Sequence, residues 1–189
     1  AMSNIFPIGS CAIRRVRSKA RRAYLFPDHY VPSAYEIPYN ELYAKGKRAL
    51  IFDIDNTLVE HGAPANERAI RLMEHLKQIG FQVCLLSNNK ELRVKSFNEK
   101  IQVGYIFKAG KPKRSGYERA MHKMGSSKEN TVFIGDQIFT DVWGAKLVGI
   151  ETYLVEPINK KEEIQIVLKR WLEKPILCFY KRRCQRREK

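Results

Sequence analysis

The chain predicts an α/β fold, a single domain in which a mostly parallel sheet carries helices on both faces. Three observations predict it. Apolar runs alternate with helix-period segments from residue 48 to about residue 172. Five β–α units follow one another, the pattern that builds parallel sheets. And 189 residues with 44% hydrophobic and 29% charged side chains suffice for one domain with a sizeable core. The elements follow in order. Residues 48–54 read as a buried strand, because "ALIF" is an unbroken apolar run. Residues 66–78 read as a helix, with Ile70, Met73 and Leu76 on one stripe. The run "FQVCLLS" makes residues 81–87 the second strand, and a helix is expected over residues 90–99. Strands at 105–108, 131–135 and 151–155 alternate with helices at 112–124, 140–148 and 160–171. The last helix carries Ile164, Val167, Leu168 and Trp171 on a stripe expected to pack on the sheet. "FPDHYVPSAYEIP", rich in Pro and aromatics, reads as an ordered lead-in lying across the domain.

Charge divides the chain differently. The net charge is +15, and residues 1–27 hold six Lys or Arg and no acid, while residues 169–189 hold nine against two acids. The middle is nearly neutral, so the core domain alone does not read as a polyanion binder. The expected organisation is a basic amphipathic segment over 1–27 with possible membrane contact, a core domain over 28–172, and a basic, aromatic tail over 173–189. Cys11, Cys84, Cys178 and Cys184 form no C-x-x-C pair, which points to a reduced, cytosol-like setting with Cys84 as a packed thiol. No apolar run approaches the roughly 20 residues that span a bilayer, and no signal-peptide core precedes a cleavage site, so a soluble or peripheral protein is expected.

Polar residues gather where the strands should end. Asp53 and Asp55 lie two apart at the end of the first strand, which lets both point into one pocket. Ser87, Asn88 and Asn89 follow the second strand, Lys111 and Pro112 the third, and "GDQIFTD" puts Asp136 after the fourth with Asp141 at the next helix start. In such sheets ligands bind beyond the carboxyl ends of the strands. Taken singly, each residue has a plain alternative: a helix-start acid, turn formers, an exposed lysine. Taken together they describe a crevice. Four converging carboxylates repel one another and need a counter-charge, and oxygen ligands without His or Cys favour Mg²⁺ over Zn²⁺. Lys111, the Ser87 hydroxyl and backbone N–H groups would complete the contacts that a transferring phosphoryl group needs.

"DIDNTLV", "SNN", "KP" and "GDQIFTD" resemble motifs I to IV of the haloacid dehalogenase (HAD) superfamily of phosphatases, over roughly residues 25–172. More narrowly, "PDHYVPS", "DNTLVE", "SNN…RVK", "IFKAGKP" and "GDQIFTDVWGA" resemble the YqeG-like phosphatases of subfamily IIIA, a group that includes phosphatidylglycerophosphate phosphatases. The resemblance implies a Rossmann-like HAD domain. It implies that Asp53 is the nucleophile that forms an aspartyl-phosphate, and that Asp55 is the acid and base. Mg²⁺ would be held by the Asp53 carboxylate, the Asp55 backbone carbonyl and Asp136, with Asp141 binding directly or through water. Ser87 and Lys111 would clamp phosphoryl oxygens, with Thr57 bracing the nucleophile's loop and Asn88 and Asn89 lining the substrate side. Arg93, with Lys95, could reach a second phosphate on a phospholipid headgroup.

The spacing leaves no room for the inserted cap domain of small-substrate HAD enzymes, either between Asp53 and Ser87 or between Ser87 and Lys111. An open site suits a large or surface-fixed substrate. Ile13, Val16, Ala20 and Tyr24 form one stripe among the N-terminal arginines, and "PILCFYKRRCQRR" sets aromatics beside a basic cluster, as in helices that lie on anionic membranes. The expected activity is Mg²⁺-dependent hydrolysis of phosphatidylglycerophosphate to phosphatidylglycerol. The expected partners are an anionic phospholipid and the membrane surface, ahead of nucleic acid, with no obligate protein partner inferred. The expected location is the cytoplasmic side of the inner membrane, ahead of a mitochondrial matrix side. Two other readings stand behind it: a nucleic-acid end phosphatase, and an inactive scaffold of the same fold binding protein or RNA.

Overall fold

The computed structural model describes residues 24–159, 173–180 and 182. The helix expected over 160–171 lies outside them, as do residues 1–23 and Cys11 and Cys184. The chain runs through β1 (His29–Val31), a 3₁₀ turn (Ala34–Glu36), α1 (Tyr39–Ala44), β2 (Ala49–Phe52), α2 (Glu67–Ile79), β3 (Gln82–Leu86) and α3 (Glu91–Ile101). It continues through β4 (Gly104–Ile106), α4 (Arg114–Met124), β5 (Thr131–Gly135), a π-helical turn (Ile138–Val142), α5 (Trp143–Val148) and β6 (Glu151–Val155). Among the described residues these strands form one six-stranded sheet in the order β1-β6-β5-β2-β3-β4, and every pairing is parallel.

Alternation along the strands sorts the core into two layers. Phe52, Leu85 and Ile134 face Met73 and Leu76 of α2 and Val94 and Phe97 of α3. Ile51, Cys84 and Phe133 point the other way, toward Tyr117 and Ala120 of α4 and Ala145 of α5. Each large side chain so buried contributes about 1.5–3 kcal/mol relative to exposure. Cys84 is a free, packed thiol, and burial pushes its pKa up to about 12. Helix α2 starts where Asn66 accepts a bond from the Ala69 N–H at 2.9 Å and stops at Gly80, whose φ of 106° suits glycine.

The expected strands and helices of the described core are present within a few residues of their expected bounds, and helices cover both faces. The lead-in differs. "HYV" forms β1, a sixth strand that pairs with β6 in the register His29↔Tyr153. Asp28 anchors it by accepting from the Thr152 N–H at 2.9 Å and pairing with the Lys146 ammonium. Between β2 and β3, and between β3 and β4, the chain holds only α2 and α3, so no cap domain is inserted there. Residues 173–180, placed with the tail by sequence, are helical. There Ile176 and Leu177 pack with Ile138, Val142 and Leu154, and Glu173 accepts from the Phe139 N–H at 3.2 Å.

Candidate active site

The strand order reverses at β2. The chain leaves it for β3 and β4 on one side, then crosses to β5 and β6 on the other, where β1 from earlier in the chain forms the edge. Such a switch point opens a crevice beyond the strand ends. Asp53 follows β2 and Asp136 follows β5, and the ladder between these neighbours pairs Phe52 with Ile134. The Asp53 N–H extends it by donating to Ile134 O at 2.9 Å. Both carboxylates therefore stand at the mouth of the crevice.

Asp141 reaches them through the π-helical turn. The Val142 N–H donates to Gln137 O across five residues, and the Gln137 N–H donates to Asp141 Oδ2 at 3.0 Å. Tyr117 secures the turn by donating to Thr140 O at 2.6 Å. Gly135 makes room for it: a Cβ there would stand 2.5 Å from Asp141 Oδ2. Asp53, Asp136 and Asp141 each bring a carboxylate oxygen within 4.8 Å of the other two, and all three are buried. Thr57, also buried, donates to Asp136 Oδ1 at 3.3 Å.

The loops after β3 and β4 are stitched together. The Lys108 N–H donates to Asn89 O, the Ala109 N–H to Ser87 O, and Asn88 bonds Lys111 through both its amide nitrogen and its oxygen. This brings Lys111 back over β2, where Nζ lies 2.5 Å from Asp53 Oδ1 and 2.7 Å from Asp141 Oδ1. Burial raises the Asp53 carboxyl to about 7; Lys111 pulls it down, while Asp141 and Asp55 push it up. Burial alone would lower the Lys111 pKa, but Asp141 and Asp53 more than offset that and hold it above the usual lysine range. Ser87 is buried one residue beyond β3, and its Oγ accepts from the Asn89 N–H at 3.1 Å.

Asp55 points elsewhere. Its Oδ1 accepts from the Gly62 N–H at 2.8 Å and from Arg93 Nη2 at 2.9 Å, and its Oδ2 accepts from Asn89 Nδ2 at 2.7 Å. Its carboxylate is thus separate from the acidic triad, and any metal contact falls to its backbone carbonyl. Arg93 and Asn89, expected on the substrate side, meet Asp55; Lys95 is exposed on another face of α3. Gly62, Gly135 and Tyr117 escaped sequence reasoning. Only Gly135 left a sign, standing directly before Asp136 in "GDQIFTD".

Three hard carboxylate donors that close together suit a Mg²⁺-sized ion, which takes oxygen ligands at about 2.0–2.1 Å. With a cation beside the nucleophile candidate and an open crevice above, the arrangement can hold a phosphate dianion against Asp53.

Sequence comparison with known proteins points to the same chemistry. Residues 61–149 match the family described as haloacid dehalogenase-like hydrolase. "Probable phosphatase YqeG" of Bacillus subtilis (strain 168) is 37% identical over 163 residues, 86% of this chain and 95% of that protein. "Phosphatidylglycerophosphate phosphatase 1, chloroplastic/mitochondrial" of Arabidopsis thaliana is 28% identical over 81% of this chain, which spans 50% of that protein's length. Among solved structures, an uncharacterized protein from Listeria monocytogenes serotype 4b superposes with a TM-score of 0.48 at 15% identity, over 62% of this chain and 86% of that chain. On its relation to YqeG, matched along nearly the whole of that protein, the chain belongs to the haloacid dehalogenase-like hydrolases, as one of their phosphatases.

Proposed function

We propose that the protein is a Mg²⁺-dependent phosphomonoester hydrolase that works through an aspartyl-phosphate and takes phosphatidylglycerophosphate from an anionic membrane surface. One observation carries the chemistry: Asp53 shares a buried cluster with Asp136 and Asp141 while its Oδ1 is paired with Lys111. Asp53 attacks phosphorus; the Asp53–phosphorus bond forms as the bond to the leaving alkoxide breaks, and Asp55 gives that oxygen its proton. Asp55 then takes a proton from water, which attacks the phospho-aspartate, frees Asp53 and releases phosphate. Asp53, Asp136, Asp141 and the Asp55 carbonyl would hold Mg²⁺, which when bound supplies positive charge to the phosphoryl oxygens. Lys111 and the Ser87 hydroxyl orient those oxygens, with Asn88 fixing Lys111 and Thr57 fixing Asp136.

The substrate reading rests on three supports. The Arabidopsis relative is a phosphatidylglycerophosphate phosphatase by name. No inserted domain covers the crevice among the described residues. The rim above β3 and β4 exposes Lys90, Lys108, Lys113 and Arg114 against Glu91, and Leu92 is 82% exposed there, a mixture that suits an anionic lipid surface. The test is Mg²⁺-dependent phosphate release from phosphatidylglycerophosphate in mixed micelles, beside soluble sugar phosphates and 3′- or 5′-phosphorylated DNA. Preference for the phospholipid is expected. Faster turnover of DNA ends would replace it with the nucleic-acid reading, and no phosphate release from any substrate, including an aryl phosphate, would favour the inactive scaffold.

A further inference from the structure

We propose that Arg93 and Asn89 are positioning residues: they hold the Asp55 carboxylate in one plane and leave Oδ2 as the oxygen that exchanges the proton. This rests on the phosphatase reading and adds a function that neither residue's type or spacing announces.

The geometry is specific. Oδ1 accepts two bonds, from Gly62 and Arg93, whereas Oδ2 accepts one, from Asn89. A carboxylate oxygen has two lone pairs, so Oδ1 is saturated and Oδ2 keeps one vacant among the described residues. Bonds at both oxygens stop the group from rotating about its Cβ–Cγ axis. A third point of support lies behind the arginine, whose guanidinium carbon is 5.5 Å from the centroid of the Phe97 ring one helical turn on. Both partners are largely buried, with side chains 18% and 11% exposed for Arg93 and Asp55. Water therefore competes weakly for these bonds.

The local fold explains why these two residues serve. Asn89 closes the turn that begins at Ser87, and Arg93 stands in the first turn of α3, four residues on. One loop thus directs Ser87 toward the phosphate side and Asn89 and Arg93 toward the acid. Arg93 spends Nη2 on Asp55, and its Nε is buried without a protein acceptor among the described residues. That is poor geometry for the second-phosphate contact expected from the sequence, which needs a fork turned toward the substrate.

The test compares wild type with Arg93→Ala, Arg93→Lys and Asn89→Ala in Mg²⁺, on phosphatidylglycerophosphate and on 2,4-dinitrophenyl phosphate. An alkoxide leaving group needs the proton; dinitrophenolate does not. Arg93→Ala should lower kcat on the phospholipid by about 10²-fold, the loss that misplacement of a catalytic group produces, with KM little changed. On the aryl ester, rapid mixing should show a burst approaching one equivalent of dinitrophenolate and then slow turnover, because only the water step still needs Asp55. Asn89→Ala should follow the same pattern, and Arg93→Lys should recover part of the rate. A rise in KM with kcat retained would overturn the proposal in favour of a substrate contact, and equal loss on both esters without a burst would overturn it in favour of a purely structural role. Asn89→Ala carries the same test should Arg93→Ala not fold. Wild-type protein inactive on both esters would overturn the phosphatase reading itself.

Discussion

Replacing Lys111 with Met removes a cation whose side chain is 4% exposed and which lies 2.5 Å from Asp53 and 2.7 Å from Asp141. The two carboxylates would then face each other, and Asp136, with no interior counter-charge from this lysine. Losing one partner of a buried ion pair costs about 3–5 kcal/mol, because the charge left behind is neither solvated nor neutralised. A domain of ordinary stability holds only about 5–15 kcal/mol, so Lys111→Met should unfold at much lower urea than wild type in chelator-containing buffer. Most of that cost is repulsion and desolvation rather than lost packing. Adding Asp53→Asn to Lys111→Met should therefore return about 1–3 kcal/mol, the usual coupling of contacting groups. Urea titrations of wild type, both single variants and the double variant, followed by circular dichroism, give the coupling directly. Additivity within about 0.5 kcal/mol would refute the assignment of Lys111 as the neutralising cation of this cluster.

Three further outcomes follow from other parts of the molecule. Asp53→Asn should abolish phosphate release while the protein stays folded and monodisperse by size exclusion; substantial remaining turnover would remove the covalent mechanism. Gly135→Ala puts a Cβ 2.5 Å from Asp141 Oδ2, so Asp141 must shift and Mg²⁺ affinity by calorimetric titration should fall at least about 10-fold; unchanged affinity would count against Asp141 as a ligand. Glu151 is held at about 2, first by the bond from His29 at 2.7 Å, against burial, with Lys47 helping at 2.9 Å. A depressed carboxyl stabilises the fold above its unfolded value near 4.5 and loses that contribution as pH falls toward 2. Glu151→Gln should therefore cost about 2 kcal/mol at pH 6, and the gap to wild type should close between pH 4.5 and pH 2 in urea titrations.

Much of the fold was legible because its signals are local. "ALIF", "VCLL" and "VFIG" are apolar runs ended by a polar residue, so the sequence located the strands and also where Asp53, Ser87 and Asp136 stand. β1 was not legible as a strand. Of the four residues between Pro27 and Pro32 three form the strand, too few for periodicity, and what makes them a strand is the open edge of β6, more than a hundred residues away. Side-chain direction was the second blind spot. Sequence placed Asp53 and Asp55 in one pocket, but a loop with Asn56 at φ 64° turns Asp55 toward Gly62, Asn89 and Arg93. The approach of Asp141 likewise depends on a π-helical turn and on the missing Cβ of Gly135, and no hydrophobic pattern encodes either.

The hydrogen-bonded register between β2 and β5 sets a tolerance for change in this chain. Asp53 stands one residue past Phe52 and Asp136 two past Ile134, the last paired positions, so adding or deleting one residue inside either strand would swing its carboxylate to the opposite side of the pleat. An added residue is expected to be tolerated at the far end of the strands, for example around residues 125–130, where the backbone can lengthen while the spacing of the acids stays fixed.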